Sequence, residues 1–282
     1  SLPLPGPDRH KILHTSTLFL FGELMRSNYV QDYDKWVKAG RGQGRDSAYD
    51  PWITVQDCHS KTPRHRVPCP RLHRMLHCLS HGERLVCLSL EWNPEVIEIR
   101  EQFPLAPVDT LDICSELNLI HPQVRGKNIV MTTDFLVTYR DDEGEESFKA
   151  FQVKENEDEV RKPRVNAKLT IEKMYWERKG IPWSVVFTSS LIGPKYDNIV
   201  FLNKYRNDII NDFHQLMLDY MTLLSSYPEL SLRRLGEVCP SIFGNRYAVV
   251  SEPILKLAAH QKLDFDIDNA YILDIPVGDF KC

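Results

Sequence analysis

Two stretches in the middle of the chain show the hydrophobic pattern of β-strands. Residues 129–139 (IVMTTDFLVTY) and 148–154 (FKAFQVK) are rich in β-branched and aromatic side chains. A charged, turn-forming segment, RDDEGEES, separates them. Because such residues favour strands and such segments favour tight turns, the pattern predicts two antiparallel strands joined in one hairpin.

A helix over about residues 79–92 is predicted from a single narrow stripe of side chains. Leu79, Val86 and Leu90 recur at the spacing of one helix face, and Glu83 falls on that same face. A solvent-exposed glutamate would lie on the opposite face. We therefore expect Glu83 to point into the protein interior.

Three further elements complete the order of this part of the chain. A strand is predicted over 95–103 (EVIEIREQF), a helix over about 163–179, and a buried apolar strand over 183–188. With the first helix and the hairpin, the order becomes α-β-β-β-α-β. This is the core order of restriction-endonuclease-like nucleases, so we predict an α/β fold of that class.

Asp134 stands out in the predicted hairpin, because a carboxylate in the middle of a buried strand is costly. Side chains alternate along a strand, so Gln152 and Lys154 should project from one face of the second strand. Carboxylate and amide oxygens suit Mg²⁺, and an ammonium group suits an attacking water or a scissile phosphate. A salt-bridged structural hairpin is the alternative interpretation. The inward-pointing Glu83 favours the metal site.

The last part of the chain is predicted to be mostly helical. Residues 207–230 and 234–239 have helical patterns, and residues 247–275 indicate a helix followed by a short hairpin. Three helices and a two-stranded wing describe a winged-helix-like domain. From Leu191 onward the chain holds nine Lys and Arg against twelve Asp and Glu, so a protein-docking surface is at least as well supported as DNA reading.

Length and composition indicate two folded domains behind an N-terminal extension. At 282 residues the chain exceeds the usual ~100–200 residues of one domain. Its composition, with 42% hydrophobic and 26% charged residues, is ordinary for a globular protein. We predict an extension over 1–33, a nuclease domain over 34–206 and a C-terminal domain over 207–282. Residues 13–30 are compatible with a short amphipathic helix or strand.

Apolar runs and cysteines indicate the compartment. No apolar run approaches the ~20 residues that a membrane span needs, and the opening SLPLPGPDRH lacks the pattern of a signal peptide. Seven cysteines, an odd number without regular spacing, indicate free thiols in a reducing environment. We expect a cytoplasmic protein with no disulfides and no membrane partner.

The formal net charge of −4 hides an uneven distribution of charge. Residues 35–84 contain ten Lys and Arg against four Asp and Glu, and residues 161–179 contain seven against two. Both segments are predicted faces for DNA phosphates. Residues 141–159 hold nine acids and two lysines, which we interpret as a solvated rim.

The segment KAGRGQGR (38–45) places three glycines among basic residues. Such a loop exposes backbone N–H groups that can approach phosphates, although no Gly-Lys-Ser/Thr follows as in a P-loop. A flexible, solvated connector is the alternative. The residues predicted to contact DNA are Lys38, Arg41, Gln43, Arg45, Arg64, Arg66 and His77.

Cysteine and histidine residues between Cys58 and His81 raise the question of a zinc site. Their spacing is irregular and includes no paired Cys-x2–4-Cys unit, which structural zinc sites commonly use. No structural zinc is therefore expected.

A series of sequence blocks carries a resemblance more specific than the fold. The blocks are KAGRGQG (38–44), PWITVQD (51–57), LSLEW (88–92), IREQFPL (99–105), HPQVRG (121–126), TTDFLV (132–137), FQVK (151–154) and YWERKGIPW (175–183). From about Asp34 to about Arg206 the chain resembles the TnsA family, the endonuclease subunit of heteromeric transposases in bacterial cut-and-paste elements. So many blocks in the right order are stronger evidence than a few acids alone.

The resemblance implies a site, a reaction and partners. It implies catalytic roles for Glu83, Asp134, Gln152 and Lys154, of which the first three hold Mg²⁺, for which Mn²⁺ can substitute. Gln152 replaces the glutamate of the commoner Asp…Glu-x-Lys pattern, as it does in the family. The implied reaction is cleavage of the non-transferred 5′ strands at transposon ends. The implied partners are transposon-end DNA, a TnsB-type integrase-like transposase and a TnsC-type AAA+ ATPase regulator, with a winged-helix-like C-terminal domain in the TnsA-type chain.

Two other functions fit the same elements. A catalytically silent adaptor would keep the nuclease fold and only bridge DNA, transposase and ATPase regulator. A stand-alone restriction or repair nuclease would share the core. The four intact site residues weigh against a silent adaptor.

Overall fold

The computed structural model describes residues 33–58 and 63–282, and the predicted element of 13–30 lies outside them. The helices are α1 (Tyr33–Lys38), α2 (His81–Trp92), α3 (Pro107–Glu116), α4 (Glu157–Arg161), α5 (Pro163–Arg178), α6 (Pro194–Arg206), α7 (Phe213–Ser226), α8 (Leu232–Val238) and α9 (Glu252–Ala259). The strands are β1 (His65–Cys69), β2 (Arg74–Cys78), β3 (Val96–Pro104), β4 (Gln123–Val124), β5 (Lys127–Asn128), β6 (Thr132–Arg140), β7 (Glu146–Lys154) and β8 (Trp183–Phe187). Short 3-10 turns lie at Asp46–Ala48, Pro70–Leu72, Thr188–Ser190, Ile272–Asp274 and Val277–Asp279.

The centre of the fold is a four-stranded sheet in the order β3, β6, β7, β8. β3 and β7 both run antiparallel to β6, so the strand that carries Asp134 is paired on both edges. β8 runs parallel to β7. A parallel pair needs a crossover connection, which α4 and α5 supply.

Apolar side chains cover both faces of this sheet. On one face Ile99 and Phe135 pack with α2 and with the β1–β2 hairpin. On the other face Leu136 and Ala150 pack with α3 and α5. Phe135 and Leu136 are successive residues, so their opposite placement follows from the alternation of side chains along a strand. The result is a mixed α/β domain with helices on both sides of the sheet.

The predicted order α-β-β-β-α-β is confirmed by α2, β3, β6, β7, α5 and β8. α2 begins two residues later than predicted because Ser80 is its N-cap, whose side chain accepts a hydrogen bond from the backbone N–H of Glu83. β8 is half-buried rather than buried, because it forms an edge of the sheet. α3 and the small β4–β5 hairpin are insertions between β3 and β6 that the pattern did not predict.

The glycine-containing loop of residues 38–45 is packed rather than open. Four successive residues, 40–43, donate their backbone N–H groups to carbonyl oxygens of the protein. A Cβ atom at Gly42 would lie 2.3 Å from Cγ of Pro104, so the loop also lies close against the end of β3. The prediction that this loop offers free N–H groups to phosphate is therefore wrong at residues 40–43, although residues 38, 39 and 43–45 are exposed to solvent.

The C-terminal part of the chain is helical, as predicted, and forms its own core. α6, α7, α8 and α9 enclose apolar side chains that include Leu202 and Ile254. The predicted two-stranded wing is not formed, because residues 263–275 contain no strand. Instead Asp264 pairs in a single bridge with Lys281, near the end of the chain.

α6 joins the two halves of the described chain. Ile199 packs in the core of the sheet, whereas Leu202, less than one turn later, packs in the C-terminal core. Arg206, at the end of α6, donates to the backbone oxygens of Glu91 on α2 (3.0 Å) and Ala259 on α9 (2.9 Å). The last turn of α2 is therefore held by contacts from the C-terminal helices.

A second contact strengthens this junction. The side chain of Gln261 donates to the backbone oxygen of Trp92, the last residue of α2, at 2.7 Å. The predicted domain boundary at residue 206 falls at this shared region. Residues 207–282 consequently cover apolar surface of α2 and α6, and their removal would expose it.

The helices and cysteines of the described residues bear on the membrane and thiol predictions. None of their helices combines the length and apolar character that crossing a bilayer demands. All seven cysteines are free, as predicted. Cys69 donates through Sγ to the carboxylate of Glu91 (3.0 Å), and burial raises the pKa of this thiol, so it stays protonated.

We expect Gly42→Ala to destabilise the fold more than Gly40→Ala. Both glycines have a positive φ (69° and 92°), so an added Cβ costs about 1–2 kcal/mol at either position. At Gly42 the Cβ would also meet Pro104, which adds about 1–3 kcal/mol, whereas nothing lies within 4 Å at Gly40. Urea unfolding of both variants measures the difference, and equal losses would contradict the packed loop.

Candidate active site

Asp134 lies near the start of β6, between two neighbouring strands. The next residue along β6 pairs with Glu101 on β3 and with Phe151 on β7. Because both pairs are antiparallel, Gln102 and Gln152 flank Asp134 on its two sides. One row across the sheet therefore places an acid between two amides.

Burial and neighbouring groups set the protonation of Asp134. Its carboxylate is buried, and burial raises its pKa. The positive charge of Lys154 and a 2.7 Å hydrogen bond from the backbone N–H of Val153 to Oδ2 act in the opposite direction. The charged form of Asp134 therefore depends on positive charge and donors close to it.

Glu83 reaches the same place from the first turn of α2. Its carboxylate reaches back to the residues before the helix, since Oε2 accepts from the backbone N–H of Leu79 (2.8 Å) and Oε1 from the hydroxyl of Ser80 (2.9 Å). Burial, and after it the charge of Asp134, raises the pKa of Glu83 to about 8. The prediction that Glu83 points inward is confirmed.

Gln102, on β3, links the two acids and was not predicted as a site residue. Its Nε2 donates to Oε2 of Glu83 (3.1 Å) and to Oδ1 of Asp134 (3.4 Å). Its φ of 48° is a left-handed conformation, which is uncommon for a residue other than glycine. Strand periodicity cannot reveal such a residue. Its place in the block IREQFPL is the signal that could have found it.

Gln152 and Lys154 lie at the end of β7, beside Asp134. Oε1 of Gln152 is buried and has no hydrogen-bond partner among the described residues. Nζ of Lys154 donates to the backbone oxygen of Val153 (2.9 Å), and its positive charge acts to lower the pKa of both Glu83 and Asp134. A buried amide oxygen without a donor marks a position that a cation or a water can fill.

Glu172, on α5, is a further buried acid that the sequence pattern did not single out. Its Oε1 accepts from the hydroxyl of Thr133 (2.6 Å) and from the indole N–H of Trp183 (2.9 Å). Burial raises the pKa of Glu172 to about 8, and the charge of Asp134 acts in the same direction. Glu172 therefore joins α5 to the strand that carries Asp134.

Side chains at this end of the sheet supply oxygen donors of the kind that a hard divalent cation takes. Glu83 and Asp134 supply carboxylate oxygens, and Gln152 supplies an unpartnered amide oxygen. Mg²⁺ prefers such oxygen donors and usually keeps several waters beside one or two carboxylates. In residues 33–58 and 63–282 no three His, Cys, Asp or Glu side chains form a metal-binding group. A cation at Glu83 and Asp134 would therefore need Gln152 and water to complete its ligands.

Arg41 and Arg45, predicted to contact DNA, are engaged within the protein. Arg41 pairs with Asp57 (2.8 Å) and also donates to the backbone oxygen of Trp52. Arg45 pairs with the buried Glu98 (3.1 Å). Because each guanidinium already faces an acid, it offers less charge to a phosphate than counting along the chain implies.

The other predicted DNA contacts are divided between engaged and exposed side chains. His77 accepts a backbone N–H through Nδ1 (3.1 Å), and burial lowers its pKa. Arg64 and Gln43 donate to backbone oxygens. Lys38 and Arg66 are exposed. A role for these residues in DNA binding stays a prediction.

The domain is a mixed sheet with helices on both faces. A pair of acids lies beside a lysine at the end of its central strands. Together these features define an endonuclease-like α/β domain. The family model for the TnsA-like endonuclease N terminal matches residues 93–188. Transposon Tn7 transposition protein TnsA of Escherichia coli is 41% identical over 176 residues, which are 62% of this chain and 63% of that protein. Residues 93–188 therefore match the TnsA-like endonuclease N-terminal domain, and the resemblance carried by the sequence blocks is confirmed.

The extent of these matches bears on the site. The alignment spans just under two thirds of the length of the Escherichia coli relative. Residues 93–188 include Gln102, Asp134 and Gln152, whereas Glu83 precedes them. The hydrogen bond from Gln102 connects the side chain of Glu83 to the matched region.

We expect Gln152→Glu to tighten the binding of Mn²⁺ by about tenfold, because a charged oxygen ligand replaces a neutral one beside two acids that already attract cations. Isothermal calorimetry on the full chain measures the change. Gln123→Glu, which adds the same charge on the exposed strand β4, is the matched control. Weaker or unchanged binding in Gln152→Glu would show that the Gln152 side chain is not a ligand.

Proposed function

We propose that this chain is a divalent-metal-dependent DNA endonuclease of transposition that cleaves the non-transferred 5′ strands at transposon ends. One observation carries the proposal: Glu83 and Asp134 both accept hydrogen bonds from the amide of Gln102, and Lys154 lies beside them. Asp134 and Lys154 lie within the TnsA-like endonuclease region, and Glu83 lies just before it. The similarity to a protein named as a transposition protein supports the same process for this chain.

The side chains divide the chemistry between them. Glu83 and Asp134, with the oxygen of Gln152, would hold the cation. A divalent cation, when bound, lowers the pKa of a water and offsets negative charge on the phosphate. Lys154 is half-buried beside the acids and neutralises charge that develops on the phosphate oxygens. Because these groups are largely removed from water, each electrostatic interaction is stronger than on the surface.

Unpaired cations near the start of α5 supply a path for the DNA backbone. Towards the end of this helix the cations are matched by acids, in the pairs Lys173 with Glu177, Arg178 with Asp112, and Lys179 with Asp109. Arg164 and Lys168 form no ion pair within the described chain, and burial together with the charges of Arg164 and Lys154 lowers the pKa of Lys168. Arg164 and Lys168, two neighbouring cations without an acid, suit an anion such as a DNA phosphate.

The C-terminal helices suit a protein partner. Leu218 and Met221 lie about half exposed on α7. Acids outnumber cations from Leu191 onward. An acidic surface with exposed apolar side chains favours protein over DNA. With the sequence resemblance, this supports a TnsB-type transposase and a TnsC-type ATPase regulator as partners at transposon ends in the bacterial cytoplasm.

We expect Asp134→Asn to lower strand cleavage by more than about 100-fold, because changes one layer outside a metal site already cost about 10–100-fold. The neutral side chain keeps the shape of the buried acid, so the unfolding temperature should stay close to that of the parent. Cleavage of transposon-end DNA is measured in Mg²⁺ with the transposase and ATPase present. Asp142→Asn, in the exposed turn between β6 and β7, is the matched control and should cut normally.

Two outcomes of this experiment would count against the proposal. Normal cleavage by Asp134→Asn would remove Asp134 from the chemistry. A parent chain that joins DNA and partners but never cuts would instead fit the silent adaptor.

We expect the double substitution Arg164→Gln with Lys168→Gln to weaken DNA binding and to flatten its salt dependence. Each lost phosphate contact lowers the slope of log affinity against log salt by about one unit, so the slope should fall by about two. Salt-titrated binding to duplex DNA measures it. Lys173→Gln with Arg178→Gln removes the same charge from paired positions on α5 and should change the slope far less. Equal slopes for the two double variants would place the DNA elsewhere.

A further inference from the structure

Gln102 lies between two buried acids and is itself buried. One nitrogen reaches both Oε2 of Glu83 (3.1 Å) and Oδ1 of Asp134 (3.4 Å). A carboxylate that holds a cation is ionised and only accepts hydrogen bonds, and an amide nitrogen carries two N–H donors. The neighbours therefore determine the orientation of the amide, with its nitrogen toward the acids.

The side-chain oxygen and the backbone oxygen of Gln102 also accept hydrogen bonds. The hydroxyl of Thr132 donates to Oε1 of Gln102 (3.2 Å), and the backbone N–H of Trp52 donates to its backbone oxygen (3.3 Å). A left-handed φ of 48° costs about 1–3 kcal/mol in a residue other than glycine and persists where its surroundings enforce it. β3 therefore contains a strained position that aims one amide at the acids.

The two acids need such a donor because they lie close together out of water. Glu83 already accepts from Leu79 and Ser80, and Asp134 from Val153. Each of these donors serves a single acid. Gln102 donates to both, so its amide relates the position of one carboxylate to that of the other.

We propose that Gln102 is a positioning residue, whose amide holds the carboxylates of Glu83 and Asp134 side by side so that their remaining oxygen lone pairs take up one divalent cation. The inference rests on the proposed function. An ionised carboxylate has about four acceptor sites. The bonds from Leu79, Ser80 and Gln102 leave Glu83 about one, and those from Val153 and Gln102 leave Asp134 about two.

The test is calorimetric binding of Mn²⁺ alone to the full chain. Gln102→Met keeps the length of the side chain and removes the donors, so the Kd for Mn²⁺ should rise by about 10–100-fold, as for other groups that orient metal ligands. Thr132→Val removes the hydroxyl that holds the amide and should raise the Kd less. Because Thr132 acts through Gln102, the double variant should bind no more weakly than Gln102→Met.

Cleavage supplies a second measurement that separates positioning from general damage. In Gln102→Met the Mg²⁺ concentration for half-maximal cleavage should rise by the same factor as the Kd, and saturating Mg²⁺ should restore most of the rate. A variant that is merely misfolded in part would lose maximal rate at an unchanged Mg²⁺ requirement, and that result would overturn the inference.

The outcomes distinguish this inference from the proposed function. A parent chain that binds no Mn²⁺ would overturn both. A parent that binds Mn²⁺, with Gln102→Met binding as tightly, would overturn the role of Gln102 alone. If thermal unfolding shows that Gln102→Met does not fold, Thr132→Val decides: a raised Kd supports the inference, and an unchanged Kd overturns it.

Discussion

The burial of Glu83 and Asp134 at one end of the sheet is the constraint that the surrounding structure satisfies. Two acids close together and away from water are tolerated only where donors and positive charge reach them. Those groups come from separate elements: backbone N–H groups before α2 and on β7, an amide on β3, and the ammonium group of Lys154. The packing of the domain and the chemistry of the site therefore depend on the same contacts.

The sequence predicts these acids because each breaks an apolar pattern. Glu83 interrupts a helical stripe and Asp134 a β-branched strand, and both are buried in the structure. Gln102 could not be found in the same way. It follows Arg100 and Glu101 in a strand that is polar already, and its left-handed backbone departs from the alternation on which such reasoning depends. The predicted wing is wrong for a related reason. Apolar and polar residues alternate in residues 263–275, but this segment forms turns and loops instead of strands.

Charge counting along the chain overestimates the basic face between residues 35 and 84. Arg45 and Arg74 face Glu98 and Glu101, acids of β3 that lie 53 and 27 residues away in the sequence. A count within a segment cannot include partners that only folding brings near. The same reasoning applies to α5, where distant acids of α3 neutralise the last cations and leave the first ones unmatched. Net charge within a window therefore predicts a binding face only where the opposite strands and helices carry no acids.

α2 connects the C-terminal helices to the site. It is 12 residues long, or about 18 Å at 1.5 Å per residue, and Glu83 lies in its first turn. Its last turn is held by Arg206 and Gln261. One continuous helix thus joins the contacts of the C-terminal helices to one of the two acids. A displacement of the C-terminal helices would therefore reach Glu83 along α2, with no change needed in the sheet itself.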